Sequence, residues 1–124
     1  RINGISRGSL GVSTLEVVQF HFWSLDRNGK DTKFVKAGQQ LMRLKADGRI
    51  RHVAACNFDT TNLRHLVDAG VAIEANQVQY SLVDRRPESK LLPYCKGKNI
   101  KLLIFGVVAG GLLSDSFLGL SHSA

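Results

Sequence analysis

Apolar residues along this chain fall into four short runs with strand character, separated by longer segments with helical spacing. The first run, Leu15–Trp23, is rich in β-branched and aromatic residues and ends in a histidine followed by two aromatic residues. Runs of this composition favour buried strands. The sequence therefore predicts four strands, which span residues 15–23, 51–57, 71–78 and 100–105.

Between the first two strands, apolar side chains recur every three to four residues, which is the spacing of an amphipathic helix. This predicted helix should end before Gly48, because glycine readily adopts the left-handed backbone that closes a helix. A polar loop with turn chemistry at Asn28-Gly29 precedes it. The apolar positions of the helix are Phe34, Ala37, Leu41 and Leu44.

Two further helices are predicted from their end signals. Asp59 is suited to cap the N-terminus of the first, which should close at Gly70. Pro87 suits the first turn of the next, which should stop at Gly97. Their apolar positions are Leu63, Leu66 and Val67 in one, and Leu91, Leu92 and Cys95 in the other.

The alternation of strands and helices predicts a parallel sheet joined by right-handed crossovers, hence an α/β fold. Residues 1–14 are expected to form the tail of a helix followed by a turn at Gly11. No linker or change of composition divides the chain, so residues 1–124 are interpreted as one domain.

Residues that alternate along a strand point to opposite faces of the sheet. The apolar face of the first strand should meet the helices, and the less apolar face should line an interior and its mouth. The first face holds Val18, Phe20 and Phe22, and the second holds Leu15, Val17, Gln19 and His21. Asn57, Gln77 and Phe105 are expected to close their strands on the inward face as well.

The charge and cysteine content exclude several classes of function. The net charge of +7 is scattered, without the basic run or interleaved aromatic residues of a nucleic-acid module, so we expect no nucleic-acid partner. The longest apolar run, Leu102–Leu113, has 12 residues, too few to span a bilayer. Cys56 and Cys95 are 39 residues apart, which predicts neither a metal site nor a disulfide framework and favours the cytoplasm.

His21 is the first candidate for chemistry, since α/β proteins place their sites at the C-terminal ends of strands. Taken alone, such a histidine is more often a structural residue. Asn57 and Gln77 could equally be loop caps, and Phe105 could be core. The glycine-rich Gly106–Gly111 lacks the spacing of a dinucleotide-binding fingerprint, and its backbone is expected to approach a ligand or strand closely.

Five short segments that occur in a fixed order give a more specific indication of fold and function than any single residue does. They are Val18-Gln19-Phe20-His21-Phe22-Trp23, Gly48-Arg49-Ile50-Arg51, Cys56-Asn57-Phe58-Asp59, Asn76-Gln77-Val78-Gln79-Tyr80-Ser81-Leu82 and Ala109-Gly110-Gly111-Leu112-Leu113-Ser114. The series resembles the aldo-keto reductase superfamily across nearly the whole chain. The resemblance implies a partial (β/α)₈ TIM barrel with about four β/α units and parallel strands, corresponding to strands four to seven of the family barrel.

The resemblance also implies NADPH-dependent reduction of a small carbonyl substrate to an alcohol. His21 matches the histidine that orients the substrate carbonyl. Cys56 and Asn57 stand where the family has a Ser-Asn pair that holds the nicotinamide carboxamide, and Gln77 matches a glutamine that shares this task. Phe105 replaces the tyrosine that stacks on the nicotinamide ring. Cysteine is a poorer hydrogen-bonding residue than serine, which is a departure from the family pattern.

The family's catalytic tyrosine, lysine and aspartate lie on its first three strands and have no counterpart here, since Tyr80 and Tyr94 do not match the tyrosine. A complete barrel has about 250 residues. Two hypotheses follow: the chain is a fragment of a reductase and is inactive alone, or it is a short non-catalytic binding or assembly module. In the second case, the open sheet edges would be completed by self-association or by a partner chain.

Overall fold

The protein was analysed as a computed structural model, which describes residues 2–26, 28 and 30–119. Four strands alternate with four α-helices in these residues. The strands are β1 (Leu15–His21), β2 (Ile50–Cys56), β3 (Ala75–Gln79) and β4 (Lys101–Phe105), and the helices are α1 (Ile2–Leu10), α2 (Lys33–Ala46), α3 (Thr60–Asp68) and α4 (Leu91–Gly97). Short 3₁₀ helices span Arg86–Glu88, Ala109–Gly111 and Asp115–Phe117.

The four strands form one sheet in the order β1-β2-β3-β4, and every neighbouring pair is parallel. Each crossover between paired strands contains a helix, as parallel pairing requires. The predicted α/β architecture with four parallel strands is therefore confirmed. The arrangement is half of an eight-stranded (β/α)₈ barrel.

The core lies between the sheet and the helices on one face. Val53, Ala55 and Val78 of the sheet are at most 5% exposed and pack against Leu63 and Leu66 of α3. A row of aromatic rings continues this core toward the C-terminal ends of the strands, and burial of such rings dominates core energetics. Its contacts join Phe20 to Phe58 at 5.6 Å, Phe58 to Phe34 at 5.5 Å and Phe34 to Phe22 at 5.9 Å between centroids.

Three predicted helix ends are present in the structure. The side chain of Asp59 accepts a hydrogen bond of 2.9 Å from the backbone N–H of Asn62 and so caps α3. Gly48 and Gly70 follow α2 and α3 with φ angles of 71° and 81°, the left-handed backbone expected of closing glycines. Gly11 follows α1 in the same conformation, as the predicted turn required. The turn predicted at Asn28-Gly29 includes residue 29, which lies outside the described residues.

Several boundaries differ from the prediction, and one of them is the end of β1 at His21 rather than at Trp23. Pro87 belongs to a separate 3₁₀ helix, and α4 begins only at Leu91. Gly97 is the last residue of α4, while the left-handed position that follows is occupied by Asn99, with φ of 55°. The third strand begins at Ala75, and the buried Val71 and Ile73 instead anchor the loop before it to the core.

The opposite face of the sheet is open. Val18 and Phe20 of β1 pack against the core, as does Phe22 just after the strand, while Val17, Gln19 and His21 are exposed, in agreement with the predicted division of faces. Leu15, at the start of the second face, is buried. Leu103 and Phe105 of β4 lie on the open face in register with β3 and remain 38% and 39% exposed. This face corresponds to the interior of a barrel. Within the described residues, no helix is long and apolar enough to cross a membrane.

Candidate functional site

The candidate residues meet at the C-terminal edge of the sheet. His21 and Cys56 are the last residues of β1 and β2 and are paired in the ladder. Cys56 is paired in turn with Gln77 of β3, and Gln79 of β3 is paired with Phe105 of β4. The expectation that Gln77 closes its strand is corrected, because β3 continues to Gln79. Because paired residues of parallel strands point to the same side, these side chains line the open face near its mouth. Ligand sites in α/β folds occupy this position.

His21 is exposed at the edge of this mouth, and its ring lies against the ring of Trp23, with centroids 4.4 Å apart and planes inclined by 34°. Both rings line a cleft of about 570 Å³ together with Asn57. The indole lies beside one face of the imidazole and is itself 90% exposed. A histidine held in this way can present a ring nitrogen to a polar atom of a bound molecule.

Asn57 follows β2 with a φ angle of 59°, in the left-handed region. Its backbone N–H donates a hydrogen bond of 2.8 Å to the carbonyl oxygen of Gln77, which fixes this turn. The expectation that Asn57 closes β2 on the inward register is therefore corrected: Cys56 holds that register, paired with His21 and Gln77. The left-handed turn still places Asn57 in the mouth, where it lines the cleft beside His21. Asparagine tolerates this backbone better than most residues.

Cys56 and Gln77 contact each other on the open face. The Cys56 Sγ lies 3.6 Å from the Gln77 Oε1, the geometry of a weak thiol hydrogen bond. Burial raises the pKa of the Cys56 thiol above its ordinary value, so the group remains a neutral thiol at neutral pH. The contact leaves the amide N–H groups of Gln77 available to a ligand.

Phe105 ends β4 and presents a partly exposed ring to a second cleft of about 490 Å³. Asn57 lines this cleft too, so the two clefts adjoin. Gly106 follows with φ of 70°, and a Cβ at that position would lie 3.3 Å from the Cγ of Gln79. This is the close backbone approach expected of the glycine-rich segment.

Arg86, Lys90 and Gln79 are among the cleft residues that were not singled out from the sequence. Arg86 and Lys90 line both clefts, and Gln79 lines the second. The guanidinium of Arg86 is paired with the Asp84 carboxylate, at 2.6 Å between Nη2 and Oδ2, which raises the pKa of the arginine further and lowers that of the aspartate. Arg86 and Lys90 could not be distinguished from the other scattered charges in the sequence, because only the folded segment between β3 and α4 brings them to the mouth.

The two tyrosines are placed away from the His21 cleft. The Tyr80 hydroxyl donates a hydrogen bond to the Glu88 carboxylate, which raises the pKa of the tyrosine. Burial raises the pKa of Tyr94, whose ring contacts the Arg64 guanidinium at 5.3 Å. A tyrosine that acts as a proton donor near neutral pH needs a lowered pKa. Neither residue fits that role, in agreement with their mismatch to the family tyrosine.

The mouth therefore combines an imidazole, two carboxamides, exposed aromatic rings and two cations. Carboxamides can exchange paired hydrogen bonds with another amide, and an aromatic face can stack on a planar ring. The charge of Arg86 is balanced by Asp84, and the Asp59 carboxylate also lines both clefts, so the charges at the mouth are of both signs. Among the described residues, no group of three or more His, Cys, Asp or Glu side chains is arranged to hold a metal ion.

Comparison with known proteins agrees with this arrangement. The model of the Aldo/keto reductase family matches residues 5–121. The chain is 29% identical over 107 residues to the NADH-specific methylglyoxal reductase of Escherichia coli (strain K12), covering 86% of this chain and 32% of that protein. It is 34% identical over 89 residues to the glyoxal reductase of Bacillus subtilis (strain 168), covering 71% of this chain and 31% of that protein.

A solved structure shares the fold. The aldo/keto reductase from Klebsiella pneumoniae, determined in complex with NADP and acetate, is 28% identical with a TM-score of 0.71. The match covers 96% of this chain and 41% of that structure. The chain thus spans about a third of the length of the curated relatives it matches.

Proposed function

The chain belongs to the aldo/keto reductase family, and we propose that it supplies the nicotinamide-binding and substrate-orienting side of an NADPH-dependent carbonyl reductase. The observation that carries the proposal is the convergence of His21, Asn57 and Phe105 on adjoining clefts at the C-terminal edge of a half barrel. The NADP complex of a similar reductase supports the choice of cofactor. The substrate class that we propose is a small aldehyde or ketone, consistent with the names of two relatives.

The residues at the mouth fit a nicotinamide. Its planar ring could lie on the exposed face of Phe105, and its carboxamide could exchange hydrogen bonds with the amide groups of Asn57 and Gln77. We assign these three residues to the cofactor. When bound, NADPH would supply the hydride that a carbonyl reduction requires.

Cys56 occupies the position of a hydroxyl residue in the family pattern. Its thiol is neutral, contacts the Gln77 Oε1 and donates only weakly. We therefore assign Cys56 to the cofactor pocket as a residue that orients Gln77. The Gln77 amide then becomes the main hydrogen-bonding group for the carboxamide from this side of the pocket.

His21 is proposed to orient the substrate carbonyl. Its imidazole lies in the open cleft, held against Trp23, and can donate a hydrogen bond to a carbonyl oxygen. Such a bond strengthens as negative charge develops on that oxygen, and so it stabilises the transition state more than the ground state.

The proposed site is half of a complete one. Tyr80 and Tyr94 are unsuited to donate the proton, and each lies outside the His21 cleft. We therefore expect the 124-residue chain to be inactive alone and the activity to belong to a longer assembly that contributes the missing acid. Both cysteines are free thiols, which supports a reducing compartment, and we propose the cytoplasm.

Titration of the chain with NADPH, followed by nicotinamide fluorescence, tests the cofactor assignment. We expect a Kd weaker than about 10 µM, because affinity for a cofactor comes from a whole pocket. Phe105→Ala should weaken binding further, since it removes the stacking face. Phe117→Ala is the matched control, because Phe117 is also half-exposed and lines neither cleft.

Two outcomes would contradict the proposal. If Phe105→Ala and Phe117→Ala changed the NADPH Kd equally, the cofactor would not bind at the mouth of the half barrel. NADPH oxidation by the isolated chain in the presence of a small aldehyde would show that the proton donor lies within these residues, against the assignment of both tyrosines.

A further inference from the structure

Asn76 places a side-chain amide in the apolar layer between the sheet and the helices. It is the second residue of β3, is paired with Ala55 of β2 and Leu102 of β4, and is 0% exposed. Because its neighbour Gln77 points to the open face, the Asn76 side chain points toward the helices. Burial of an amide in such surroundings is unfavourable unless a protein group replaces its hydrogen bonds to water. The contact that Asn76 makes there is therefore significant.

The partner of this amide is the loop that follows β2. The Asn76 Nδ2 donates a hydrogen bond of 2.8 Å to the carbonyl oxygen of Phe58, and both residues are at most 1% exposed. Water does not compete for a bond in this position. The ring of Phe58 is held separately, by contacts with the rings of Phe20 and Phe34. The bond from Asn76 thus fixes the backbone of the loop, and the aromatic contacts fix its side chain.

Asn57 lies between two hydrogen bonds to consecutive residues of β3. Its own N–H donates to the Gln77 carbonyl at 2.8 Å, and the carbonyl of the next residue, Phe58, accepts from Asn76. Asn57 has a φ angle of 59°, which is unfavourable for any residue with a side chain. Such a conformation persists only where the surrounding structure holds it. The two bonds supply that support, and only the one from Asn76 depends on a side chain.

The turn sets the direction of the Asn57 side chain. In the left-handed conformation, Asn57 lines both clefts, beside His21 in one and beside Phe105 in the other. A change of φ to the extended or right-handed region would rotate the side chain relative to β2 and move it from this position. The free energy of the turn therefore controls how often the Asn57 carboxamide is available to a ligand.

We propose that Asn76 is a positioning residue of the nicotinamide site and that it acts through Asn57. Its hydrogen bond to the Phe58 carbonyl stabilises the left-handed turn and so holds the Asn57 carboxamide at the mouth. Asn76 itself touches no ligand, because it faces the helices, on the opposite side of the sheet from Cys56 and Gln77. The inference rests on the proposed function for the identity of the ligand, whereas the effect of Asn76 on the turn does not.

Amide hydrogen exchange of the 124-residue chain, followed by NMR, tests the effect on the turn. Asn76→Ala should lower the protection factor of the Asn57 N–H by about threefold to tenfold, the effect of losing one hydrogen bond. The Glu74 N–H donates to Val53 at the other end of the same pair of strands and is the internal control, which should change less. An equal decrease at both amides would contradict the proposal, because Asn76 would then support the whole sheet.

Asn62→Ala is the matched control variant. The Asn62 amide is also 0% exposed and donates to a loop carbonyl, that of Asp26, at 2.9 Å. Like Asn76, it has an Oδ1 without a partner among the described residues. Its removal should lower stability to urea, yet it should leave the protection of the Asn57 N–H unchanged relative to that of Glu74. Equal local losses in the two variants would overturn the link between Asn76 and the turn.

Asn57→Gly separates the turn from general stability. Glycine adopts the left-handed backbone without the cost that a side chain imposes, so the turn should no longer need Asn76. In this background, Asn76→Ala should leave the protection factor at position 57 nearly unchanged. If Asn76→Ala alone does not fold, the double substitution should fold. Failure of the double substitution as well would contradict the proposal, because Asn76 would then be needed beyond the turn.

A cycle of NADPH titrations tests the route through Asn57. Asn76→Ala and Asn57→Ala should each raise the Kd by about threefold to tenfold, and the double variant should bind as Asn57→Ala does. Additive losses would overturn the proposal, because Asn76 would then act independently of Asn57. If NADPH does not bind at the mouth, the proposed cofactor site fails, and hydrogen exchange still decides whether Asn76 holds the turn.

Discussion

Asp59 links the helix after β2 to the loop after β1. Its Oδ1 accepts from the Asn62 backbone N–H, and its Oδ2 accepts from the Asn62 side chain at 2.8 Å. The Asn62 amide, buried at 0% exposure, also donates to the carbonyl of Asp26 at 2.9 Å. The cap therefore connects α3 with the loop below the His21 cleft.

Replacing the cap tests this connection. Asp59→Ala should lower the free energy of unfolding by about 1–2 kcal/mol, because it leaves a helix N–H without its acceptor and removes one of the two acceptors of the buried Asn62 amide. Asp68→Ala, at the exposed last residue of the same helix, is the control and should have little effect. Urea unfolding measures both. Equal stability of the two variants would contradict the role of Asp59.

Glu74 is the centre of a small charged cluster near the N-terminal ends of the strands. Its carboxylate binds the Lys45 ammonium at 2.5 Å and the His52 Nδ1 at 2.6 Å. The hydrogen bond from Lys45 is the main reason that the pKa of Glu74 lies below its ordinary value of 4.5, and His52 adds to the effect. Burial acts in the opposite direction. The cluster joins α2 to β2 and to the loop before β3.

The stabilisation from Glu74 should depend on pH. A carboxyl whose pKa is lowered by folding stabilises the protein above its unfolded pKa, and this stabilisation is lost as pH falls through the folded pKa. At pH 7, Glu74→Gln should cost about 1 kcal/mol at most, since the carboxylate is 42% exposed. The difference from the unsubstituted protein should shrink below about pH 4.5.

Chemical unfolding at several pH values measures this difference. Asp47→Asn is the control, because the Asp47 carboxylate is 58% exposed and lies 4.0 Å from Arg49, a distance at which an ion pair contributes little. A Glu74→Gln difference that grows as pH falls would mean that the Glu74 carboxylate is not stabilised by Lys45.

At the scale of residues, the sequence predicts roles that depend on neighbours in the chain. It does not predict roles that depend on residues far away in the sequence. Asp59 was identifiable because a cap acts on a residue three positions away. Glu74 was not, since Lys45 and His52 are distant in sequence and meet it only in the folded sheet. Asn57 was placed in the mouth correctly but with the wrong register, because alternation along a strand does not anticipate a left-handed residue.

At the scale of elements, α2 packs closely on the core through Gly38. A Cβ at this position would lie 2.8 Å from the Cδ2 of Leu66 and 3.2 Å from the Cγ2 of Val71. Both neighbours are at most 2% exposed and so have little freedom to move. The glycine thus permits α2 to approach α3 and the loop that follows it.

Two glycine substitutions distinguish packing from helix propensity. Gly38→Ala should destabilise the protein by about 1–3 kcal/mol, because the methyl group overpacks the core. Gly4→Ala in α1 meets no atom within 4 Å and should stabilise it by about 0.5–1 kcal/mol through the better helix propensity of alanine. Thermal unfolding compares them. Stabilisation by both would contradict the close packing of α2.

The limits of prediction at this scale also have physical causes. The helix predicted from Pro87 is divided into two elements, because residues 86–88 form a separate 3₁₀ turn and α4 begins only at Leu91. Val71 and Ile73 have strand-like composition but are buried by contact with the core before β3 begins. Intrinsic preference is overridden by tertiary contacts at such positions.

At the scale of the whole molecule, the order and direction of the four strands followed from periodicity and the crossover rule. The division of β1 into an apolar face and an open face could be expected from the alternation of its residues. The register between neighbouring strands could not, because it depends on pairings that only the folded sheet defines. The same holds for Arg86 and Lys90, which the fold brings beside His21.

The central claim is that the C-terminal edge of this half barrel holds the nicotinamide, and two-dimensional NMR of the ¹⁵N-labelled chain tests it most directly. The side-chain amides of Asn57 and Gln77 report on the proposed site, and that of Asn99, at the opposite end of β4, serves as the internal control. With millimolar NADPH, we predict shifts of the Asn57 and Gln77 amides and none of Asn99. Shifts confined to the Asn99 end, or unchanged Asn57 and Gln77 amides under saturating NADPH, would contradict the claim.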